Sequence, residues 1–366
     1  MRFVKCIKGG FIMAKVRKIC NTGSNKKIII VKTVKKSKQK PKEGNQFGSG
    51  NSGIQTPNGS KSKPKEILPD IKNLEKEVLK SIIGQDVAVR KIVTAIYRAM
   101  NFKTVKSNIL VIGNSGTGKT ETIKQIAKRL NIPYTIEDAT KYTQEGYYGA
   151  DVNEMILNLL KNSNMDIKKA QNGIIVIDEI DKKAGHEVSH DVAGTEVLKS
   201  LLKIIEGTTI KVPVEMDYYN VKLADFDTKN IIIIFLGAFS GLDIIRDKRL
   251  NSNPLGFSIK EETHKSKAKF LKQDLVKYGL PEEFVGRIDT IVEMNELTKK
   301  DLALILKKSE LSIFKRYQNE LSNMGITLIY NDDLFESIAE KSLVLDTGAR
   351  AVSYTHLRAH ETLANL

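Results

Sequence analysis

The sequence has no tryptophan and only two cysteines among its 366 residues. Cys6 and Cys20 lack the paired spacing of a zinc site, and two cysteines cannot form a disulfide framework. Long apolar runs are also missing. The longest, at residues 231–237, has the length of a strand, whereas a membrane-spanning helix needs roughly 18 apolar residues. These absences argue against a disulfide-stabilised extracellular domain and a helical membrane protein, and we expect the protein in the cytoplasm.

Acidic residues are scarce at one end of the chain. Residues 1–66 contain 17 lysines and arginines but only two glutamates, whereas the whole chain has 59 basic and 43 acidic residues. The other 300 residues therefore carry 42 basic and 41 acidic groups, so the formal charge of +16 belongs almost wholly to this tail. A near-neutral body argues against a nucleic-acid-binding domain, because such domains concentrate positive charge on one face.

Residues 1–66 also have little apolar sequence, apart from a short patch at residues 28–31. The stretch 44–62 has no periodicity and would bury too little surface to offset the entropy lost on ordering. We predict that residues 1–66 form a mostly disordered basic tail. This tail is either a solvated linker or an arm that binds nucleic acid or an acidic partner. Met13 is an alternative start of translation.

From residue 67 onward, short apolar segments alternate with segments of helical periodicity. This alternation predicts a parallel β-sheet with helices on both faces, which is the α/β class. We assign residues 67–296 to this larger domain. Strands are predicted at residues 108–112, 134–136, 173–177, 230–236 and 288–294, and helices at 119–130, 152–160 and 198–206.

After residue 297 the sequence becomes mainly helical. Thr298 and Asp301 have the spacing of a helix capping box. A strand is predicted at residues 326–330 and a helix at 332–341. We therefore predict a second, smaller and mostly helical domain at residues 297–351.

A phosphate-binding motif lies between the first predicted strand of the sheet and the helix that follows it. Its glycines let backbone N–H groups turn towards a phosphate, and the helix N-terminus adds partial positive charge. In such a motif the lysine, Lys119, contacts the β- and γ-phosphates, and the hydroxyl of Thr120 is a ligand of Mg²⁺. We predict that this motif binds ATP and Mg²⁺. The motif GxxxxGK[ST] consists of Gly113, Asn114, Ser115, Gly116, Thr117, Gly118, Lys119 and Thr120.

A second motif is the buried strand that ends in Asp178 and Glu179. The tip of a strand in a parallel sheet projects its side chains over the edge where ligands bind. Asp178 suits coordination of Mg²⁺, and Glu179 suits activation of the water that attacks the phosphate. Together with the phosphate-binding motif, the two carboxylates predict an ATP-hydrolysing site.

Further motifs occur in the order and spacing of one known family. The chain resembles the ClpX family of AAA+ ATPases, protein unfoldases that feed a barrel-shaped peptidase, from about residue 67 to residue 351. The motifs that carry the resemblance are IIGQ at 82–85, the phosphate-binding motif at 113–120, EGYYG at 145–149, IDEIDK at 177–182, LLKIIEGT at 201–208, GAFSGL at 237–242, PEEFVGR at 281–287 and TGAR at 347–350.

The resemblance implies further residues at the ATP site. Ile82 and Ile83 correspond to residues that pack against the adenine. Arg287 corresponds to the arginine finger, which reaches the ATP of a neighbouring subunit, and Arg350 to the sensor arginine, which contacts the nucleotide of its own subunit. A guanidinium suits both roles because it stays charged and can place two donors on phosphate oxygens. A finger that acts on a neighbour implies a ring, here a homohexamer.

The resemblance also implies contacts with protein partners. Tyr147 and Tyr148 lie in the family's aromatic pore loop, where Tyr147 takes the position that grips unfolded or tagged protein substrates. A large ring on a glycine-flanked loop can hold a polypeptide by packing, without reading its sequence. Leu255, Gly256 and Phe257 occupy the position of the tripeptide that docks a ClpP-like peptidase, and an exposed apolar loop tip suits such docking.

The sequence departs from the family in three places. The family's amino-terminal zinc-binding domain has no counterpart, so substrate recognition through that domain is not expected. The basic loop at the family's pore entrance is replaced at residues 212–227, which hold four acidic residues and two tyrosines. Residues 352–362 resemble the translation of a transposase sequencing adapter. We therefore expect residues 352–366 to be a non-native tail after an incomplete small domain, and His356 and His360 not to form a metal site.

Three functions remain open from the sequence. The first is an unfoldase that hands substrates to a ClpP-like peptidase. The second is a stand-alone protein remodeller, which differs from the first in the role of residues 255–257. The third is a DNA-acting AAA+ ATPase that uses the basic tail, and it would bind DNA in a salt-dependent way.

Overall fold

The computed structural model of the protein describes residues 16–22, 25–33, 70–102, 107–142, 153–185, 192–216, 221–251, 268–329, 333–344 and 349. Contacts within the chain divide it into two compact units. One consists of Met1–Pro69 and Ile313–Leu334, and the other of Asp70–Ser312 and Phe335–Leu366. The predicted domain boundary between residues 296 and 297 stays a prediction.

The described elements number ten strands and twelve α-helices. In chain order the strands are β1 Val16–Thr22, β2 Asn25–Thr33, β3 Asn108–Ile112, β4 Tyr134–Asp138, β5 Ile174–Asp178, β6 Thr209–Met216, β7 Val221–Asp227, β8 Ile232–Gly237, β9 Thr290–Glu293 and β10 Ile326–Ile329. The helices are α1 Ile71–Ser81, α2 Asp86–Asn101, α3 Lys119–Arg129, α4 Asn153–Asn162, α5 Ile167–Ala170, α6 Val192–Glu206, α7 Leu242–Asn251, α8 Lys272–Tyr278, α9 Glu282–Gly286, α10 Lys299–Lys308, α11 Ile313–Asn323 and α12 Asp333–Val344. None of these helices has the length and apolar character needed to cross a membrane.

The predicted α/β fold is confirmed by a five-stranded parallel sheet in the order β4-β5-β8-β3-β9. Successive side chains of a strand point to opposite faces of the sheet. In β3, Leu110 and Ile112 accordingly belong to one hydrophobic cluster, whereas Ile109 and Val111 belong to another. The sheet is therefore covered on both faces, which explains why its central strands are continuous apolar runs.

Different helices cover the two faces. The cluster that contains Ile109 includes buried residues of α1, α2 and α3, among them Val78 and Ile92. The cluster that contains Leu110 includes residues of α4, α6, α8 and α9, among them Leu159 and Phe284. Each helix contributes one apolar stripe, as the helical periodicity of the sequence predicts.

The carboxyl ends of the central strands meet at one edge of the sheet. β3 and β8 pair so that Ile112 lies opposite Gly237, and the N–H of Gly113 donates to the carbonyl of Gly237 at 3.2 Å. β5, the other neighbour of β8, ends at Asp178. Residues far apart in the sequence therefore come together at this edge.

An antiparallel hairpin, β6–β7, was not predicted from the sequence. The strand pairing shifts between Pro213 and Glu215, which marks a bulge or irregularity. Proline cannot donate to a strand ladder, so it weakens the alternating pattern by which a strand is recognised. Val212 and Phe226 are nevertheless buried against the Leu110 side of the core.

The capping box predicted at the start of the carboxyl-terminal helical region is confirmed. Thr298 accepts a hydrogen bond from the N–H of Asp301, and the Asp301 carboxylate accepts one from the N–H of Thr298. α10 follows this cap. α12 begins at Asp333, and its Phe335 and Ala339 are buried.

The other unit contains α11 and a three-stranded antiparallel sheet in the order β1-β2-β10. Two of these strands, at residues 16–33, fall in the segment predicted to be mostly disordered, so that prediction needs correction there. The physical reason is the β-branched run at residues 28–31, which favours a strand. Two residues, Gly23 and Ser24, separate β1 from β2, the commonest length of a hairpin loop.

Candidate active site

The phosphate-binding motif forms the turn between β3 and α3. Gly116 and Gly118 have φ angles of 78° and 93°, in the left-handed region that glycine enters without steric cost. The turn leads to the amino end of α3, which begins at Lys119. The free N–H groups and the dipole of that helix end favour an anion. The geometry of the turn therefore suits a phosphate group.

The side chain of Lys119 lies back over this turn. Its Nζ donates hydrogen bonds to the carbonyl of Gly113 and, at 3.0 Å, to the carbonyl of Asn114. A positive charge is thus kept beside the glycines, where a polyphosphate would need neutralisation.

The two predicted motifs meet through a hydrogen bond between side chains. Thr120 Oγ1 donates to Asp178 Oδ2 at 2.9 Å, and the N–H of Glu179 donates to Asp178 Oδ1, also at 2.9 Å. Glu179 has a φ angle of 58°, a left-handed conformation that costs a non-glycine residue about 1–2 kcal/mol. This sharp turn ends β5 and leaves the carboxylate of Glu179 exposed.

A cavity of about 500 Å³ opens at this edge of the sheet. A volume of this size is in the range of small-molecule and cofactor sites. Its lining comes from the phosphate-binding turn and from the ends of β5 and β8. It includes Ser115, Gly116, Lys119, Thr120, Asp178 and Glu179.

Asp181 is a buried carboxylate at the same cavity, and its role was not predicted from the sequence. Its Oδ2 accepts a hydrogen bond from the N–H of Phe239 at 3.2 Å, which ties the turn after β5 to the end of β8. A Cβ on Gly237 would lie 2.8 Å from Asp181 Oδ1, so glycine is required for this approach. Burial, and then the charge of Asp181, raise the pKa of Tyr278 above its ordinary value.

Gln85, the last residue of the IIGQ motif, links the phosphate-binding turn to the chain after β9, a role that the sequence did not predict. It is fully buried. Its Nε2 donates to the carbonyls of Thr117 at 3.2 Å and Asn295 at 2.8 Å, and its Oε1 accepts from the N–H of Asn295 at 2.8 Å. Asn114 Nδ2 adds a bond of 2.7 Å to Glu296 Oε1. No local sequence pattern could indicate the contacts with Asn295 and Glu296, because these partners are 210 and 182 residues away in the sequence.

The residues expected at the adenine lie beside Gln85. Ile82 is buried in the cluster of α1, α2 and α3, and Ile83 is half-buried. Neither of them lines the cavity. Their contact with adenine stays a prediction.

Arg287 lies outside the cavity. It follows α9, and its carbonyl accepts a hydrogen bond of 2.9 Å from Asn108 Nδ2 at the amino end of β3. The phosphate-binding turn begins at the other end of β3, four residue steps or about 13 Å away. The guanidinium instead contacts the carboxylate of Glu206 on α6 at 2.5 Å.

Several predicted site residues lie outside the described residues. These are the pore-loop residues Tyr147 and Tyr148, the docking residues Leu255, Gly256 and Phe257, and Arg350. Ala349, the residue before Arg350, is described. Its N–H donates to the carbonyl of Gly116 at 3.1 Å.

A second buried polar cluster lies around Glu137 on β4 and was not predicted. The carboxylate accepts hydrogen bonds from the hydroxyls of Thr135 at 2.5 Å and Tyr142 at 2.7 Å, and from Asn158 Nδ2 at 3.1 Å. Lys183 Nζ donates to the carbonyl of Tyr142 at 3.1 Å. Tyr142 and Asn158 precede and follow the segment with Tyr147, so the cluster joins the two sides of that segment.

Comparison with known proteins identifies the family of this chain. Residues 104–291, just over half of the chain, match the AAA domain (Cdc48 subfamily). The ATP-dependent Clp protease ATP-binding subunit ClpX of Treponema denticola is 38% identical over 307 residues, which cover 78% of this chain and 74% of the relative. The proteins of the same name from Borrelia duttonii and Borrelia recurrentis are 39% identical over 307 residues, covering 78% of this chain and 71% of each relative. The chain is therefore an ATP-binding ATPase that belongs to the ClpX family of AAA+ proteins.

Proposed function

We propose that this ATPase uses ATP hydrolysis to unfold protein substrates and deliver them to a ClpP-like peptidase, as one subunit of a cytoplasmic homohexameric ring. The similar proteins are named as ATP-binding subunits of an ATP-dependent Clp protease, which supports a peptidase partner. The near-neutral charge of residues 67–366 favours a protein substrate over DNA.

The ATP phosphates bind at the turn between β3 and α3 in this proposal. Lys119 contacts the β- and γ-phosphates, and the glycine turn supplies backbone N–H groups. Thr120 and Asp178 fit Mg²⁺, because a hydroxyl and a carboxylate are the hard oxygen ligands that this ion prefers, and Mg²⁺ keeps other positions for phosphate and water. No larger cluster of metal-binding side chains occurs among the described residues. Bound there, Mg²⁺ supplies positive charge to the phosphates.

Glu179 acts as the general base in the hydrolysis. Its exposed carboxylate takes a proton from a water molecule as the water oxygen forms a bond to the γ-phosphorus. The bond from this phosphorus to the bridging oxygen breaks at the same time, so ADP and phosphate leave. The turn at Glu179 supports this role, because it directs the side chain away from the buried strand.

The position of Arg287 is the observation that supports assembly of the chain into a ring of subunits. Its main chain is fixed at the amino end of β3, about 13 Å along that strand from its own phosphate-binding turn. An arginine side chain is too short to cover this distance, which supports a role of Arg287 at the ATP of a neighbouring subunit. Arg350 acts within its own subunit, and the bond from Ala349 to Gly116 supports this placement.

Tyr147 and Tyr148 grip the substrate in the central pore, and Leu255, Gly256 and Phe257 dock the peptidase. These roles rest on the motifs of the family resemblance. The Glu137 cluster supports the first, because it holds Tyr142 and Asn158 on either side of the pore-loop segment.

ATP hydrolysis by the full chain tests this proposal. We expect Mg-ATP hydrolysis that is stimulated by a permanently unfolded protein, such as reduced and carboxymethylated lactalbumin, and not by duplex DNA. Glu179→Gln should abolish hydrolysis but retain ATP binding, whereas Glu154→Gln, at an exposed position on α4, should behave like the unmodified chain. Stimulation by DNA that is lost on removal of residues 1–66 would contradict the proposal and favour a DNA-acting ATPase.

Docking is tested separately by co-migration with a ClpP-type ring in size-exclusion chromatography. We expect a complex that disappears when residues 255–257 are deleted, with ATP hydrolysis unchanged. An active unfoldase that forms no complex would instead be a stand-alone remodeller.

A further inference from the structure

Hydrogen bonds fix the main chain around Arg287, whereas its side chain is not fixed by burial. Asn108 Nδ2 donates to its carbonyl, and the N–H of Asn108 donates to Asp289 Oδ2 at 2.8 Å. The N–H of Asp289 returns a bond of 2.9 Å to the carbonyl of Asn108. The side chain of Arg287 is 51% exposed. Its main chain is thus fixed on β3, and its side-chain torsions decide where the guanidinium points.

Glu206, the last residue of α6, provides the contact that restricts these torsions. Its Oε1 lies 2.5 Å from Arg287 Nη2, and its side chain is 43% exposed. A guanidinium has five N–H donors, and this contact uses the Nη2 end. The remaining donors make no hydrogen bond to the described residues and can turn to phosphate oxygens.

This ion pair is better suited to orienting the guanidinium of Arg287 than to stabilising the fold. An exposed pair contributes little to folding, because solvent screens it and two long side chains lose freedom. A bond that directs a flexible arginine can still raise the fraction of molecules in which the guanidinium is ready for a phosphate.

We propose that Glu206 is a positioning residue for Arg287: it orients the guanidinium for the ATP of the neighbouring subunit. This inference rests on the proposed function, in which Arg287 acts on a neighbour. Glu206 does not line the cavity of its own subunit, and in this inference it acts only through Arg287.

The expected effect is a lower rate at saturating ATP. Glu206→Ala should reduce kcat by about fivefold, which corresponds to the upper end of the range for exposed ion pairs. The KM for ATP should stay within about twofold, because the nucleotide binds at residues that Glu206 does not contact. Glu206→Gln keeps an acceptor oxygen and should recover part of the loss. Glu282→Ala removes another exposed carboxylate, at the start of α9 and five residues before Arg287, and should leave kcat unchanged.

A double-mutant cycle on the full chain tests the inference. Steady-state Mg-ATP hydrolysis is measured for Glu206→Ala, Arg287→Ala and the double variant, with thermal unfolding to establish that each variant is folded. We expect Arg287→Ala to lose 100-fold or more, as removal of an arginine finger does on the order of 10³, and the double variant to equal Arg287→Ala. If Glu206 instead acts structurally and without Arg287, Glu206→Ala should lower kcat fivefold both in the unmodified chain and in the Arg287→Ala variant.

The outcomes separate this inference from the proposed function. If Arg287→Ala is inactive but Glu206→Ala hydrolyses ATP at the unmodified rate, the positioning role is refuted and the finger remains. A fivefold loss in both backgrounds also refutes it. If Arg287→Ala retains full activity, the finger itself is refuted, and the role of Glu206 with it.

Discussion

The substitution Tyr142→Phe isolates one hydrogen bond of the buried cluster around Glu137. Tyr142 is 2% exposed, and its hydroxyl donates to Glu137 Oε2 at 2.7 Å. Phenylalanine keeps the ring, so the change creates no large cavity. Among the described residues, Glu137 would retain the donors Thr135 and Asn158.

The expected cost follows from the type of bond. A hydrogen bond to a charged group contributes about 1.5–3 kcal/mol, and a buried acceptor that loses its partner costs a similar amount. Tyr142→Phe should therefore lower the free energy of unfolding by about 2 kcal/mol. In a domain of this size this lowers Tm by roughly 4–8 °C.

The pH dependence of this difference is a second expectation. Burial, and then the hydrogen bond to Glu137, raise the pKa of the Tyr142 phenol far above its ordinary value of 10.0. The unfolded chain loses this proton near pH 10, whereas the folded chain keeps it. The stabilisation by Tyr142 is thus fully present below pH 10 and is lost as pH rises further. The difference between the unmodified chain and Tyr142→Phe should be constant from pH 7 to about 9 and shrink above pH 10.

Circular dichroism during thermal and urea unfolding measures both effects, since the chain has no tryptophan for fluorescence. Tyr97→Phe is the control, because Tyr97 on α2 is half-buried and its hydroxyl makes no hydrogen bond to the described residues. It should change stability by less than about 0.5 kcal/mol. Equal stability of the Tyr142→Phe variant and the unmodified chain at pH 8 would refute the reasoning.

Two further substitutions test the packing around the site by urea unfolding. Gly279→Ala should lower the free energy of unfolding by more than about 3 kcal/mol, because the φ of Gly279 is +114° and a Cβ would lie 2.0 Å from the carbonyl oxygen of Gly185. Gly286→Ala is the control, because a Cβ there meets nothing within 4 Å. Equal effects of the two substitutions would contradict the close approach of Gly279 to Gly185. Arg249→Met should cost about 3–5 kcal/mol, because it leaves the buried carboxylate of Asp274 without its cation. Arg246→Met on the same helix is the control, because its partner Asp247 is exposed, and it should cost about 1 kcal/mol or less. If both substitutions are equally mild, the ion pair of Arg249 with Asp274 does not stabilise the fold.

The central strands and the phosphate-binding turn could be predicted from the sequence because their signals are local. β3, β5 and β8 are buried on both faces, so each is a short apolar run, and the glycines before Lys119 follow the first of them directly. The end of β5 was predictable for the same reason. Two carboxylates after an apolar strand can only lie at the edge of the sheet.

The contacts that organise the site could not be predicted, because they join distant parts of the chain. Gln85 bonds to Asn295, 210 residues away, and Asp181 bonds to Phe239, 58 residues away. Glu206 is an ordinary residue at a helix end until the fold places it against Arg287. A polar residue in an apolar stretch indicates that a buried partner is needed, but the sequence does not name the partner.

The error in the amino-terminal tail has a different origin. Composition predicts disorder from the average of a segment, and residues 1–66 are basic and poor in apolar residues on average. A short β-branched run can still pair when a hairpin partner and a third strand are present, as in β1-β2-β10. The average over the segment conceals this local pattern.

The most direct test of the proposed unfoldase is the loss of structure in a folded substrate. A fluorescent β-barrel protein with an unstructured tail is mixed with the full chain, Mg²⁺ and ATP, together with a trap that binds unfolded protein. We predict that the fluorescence decays with ATP, and not with a non-hydrolysable analogue or with Glu179→Gln. Steady fluorescence during rapid ATP hydrolysis by the unmodified chain would contradict the account, as would decay with Glu179→Gln.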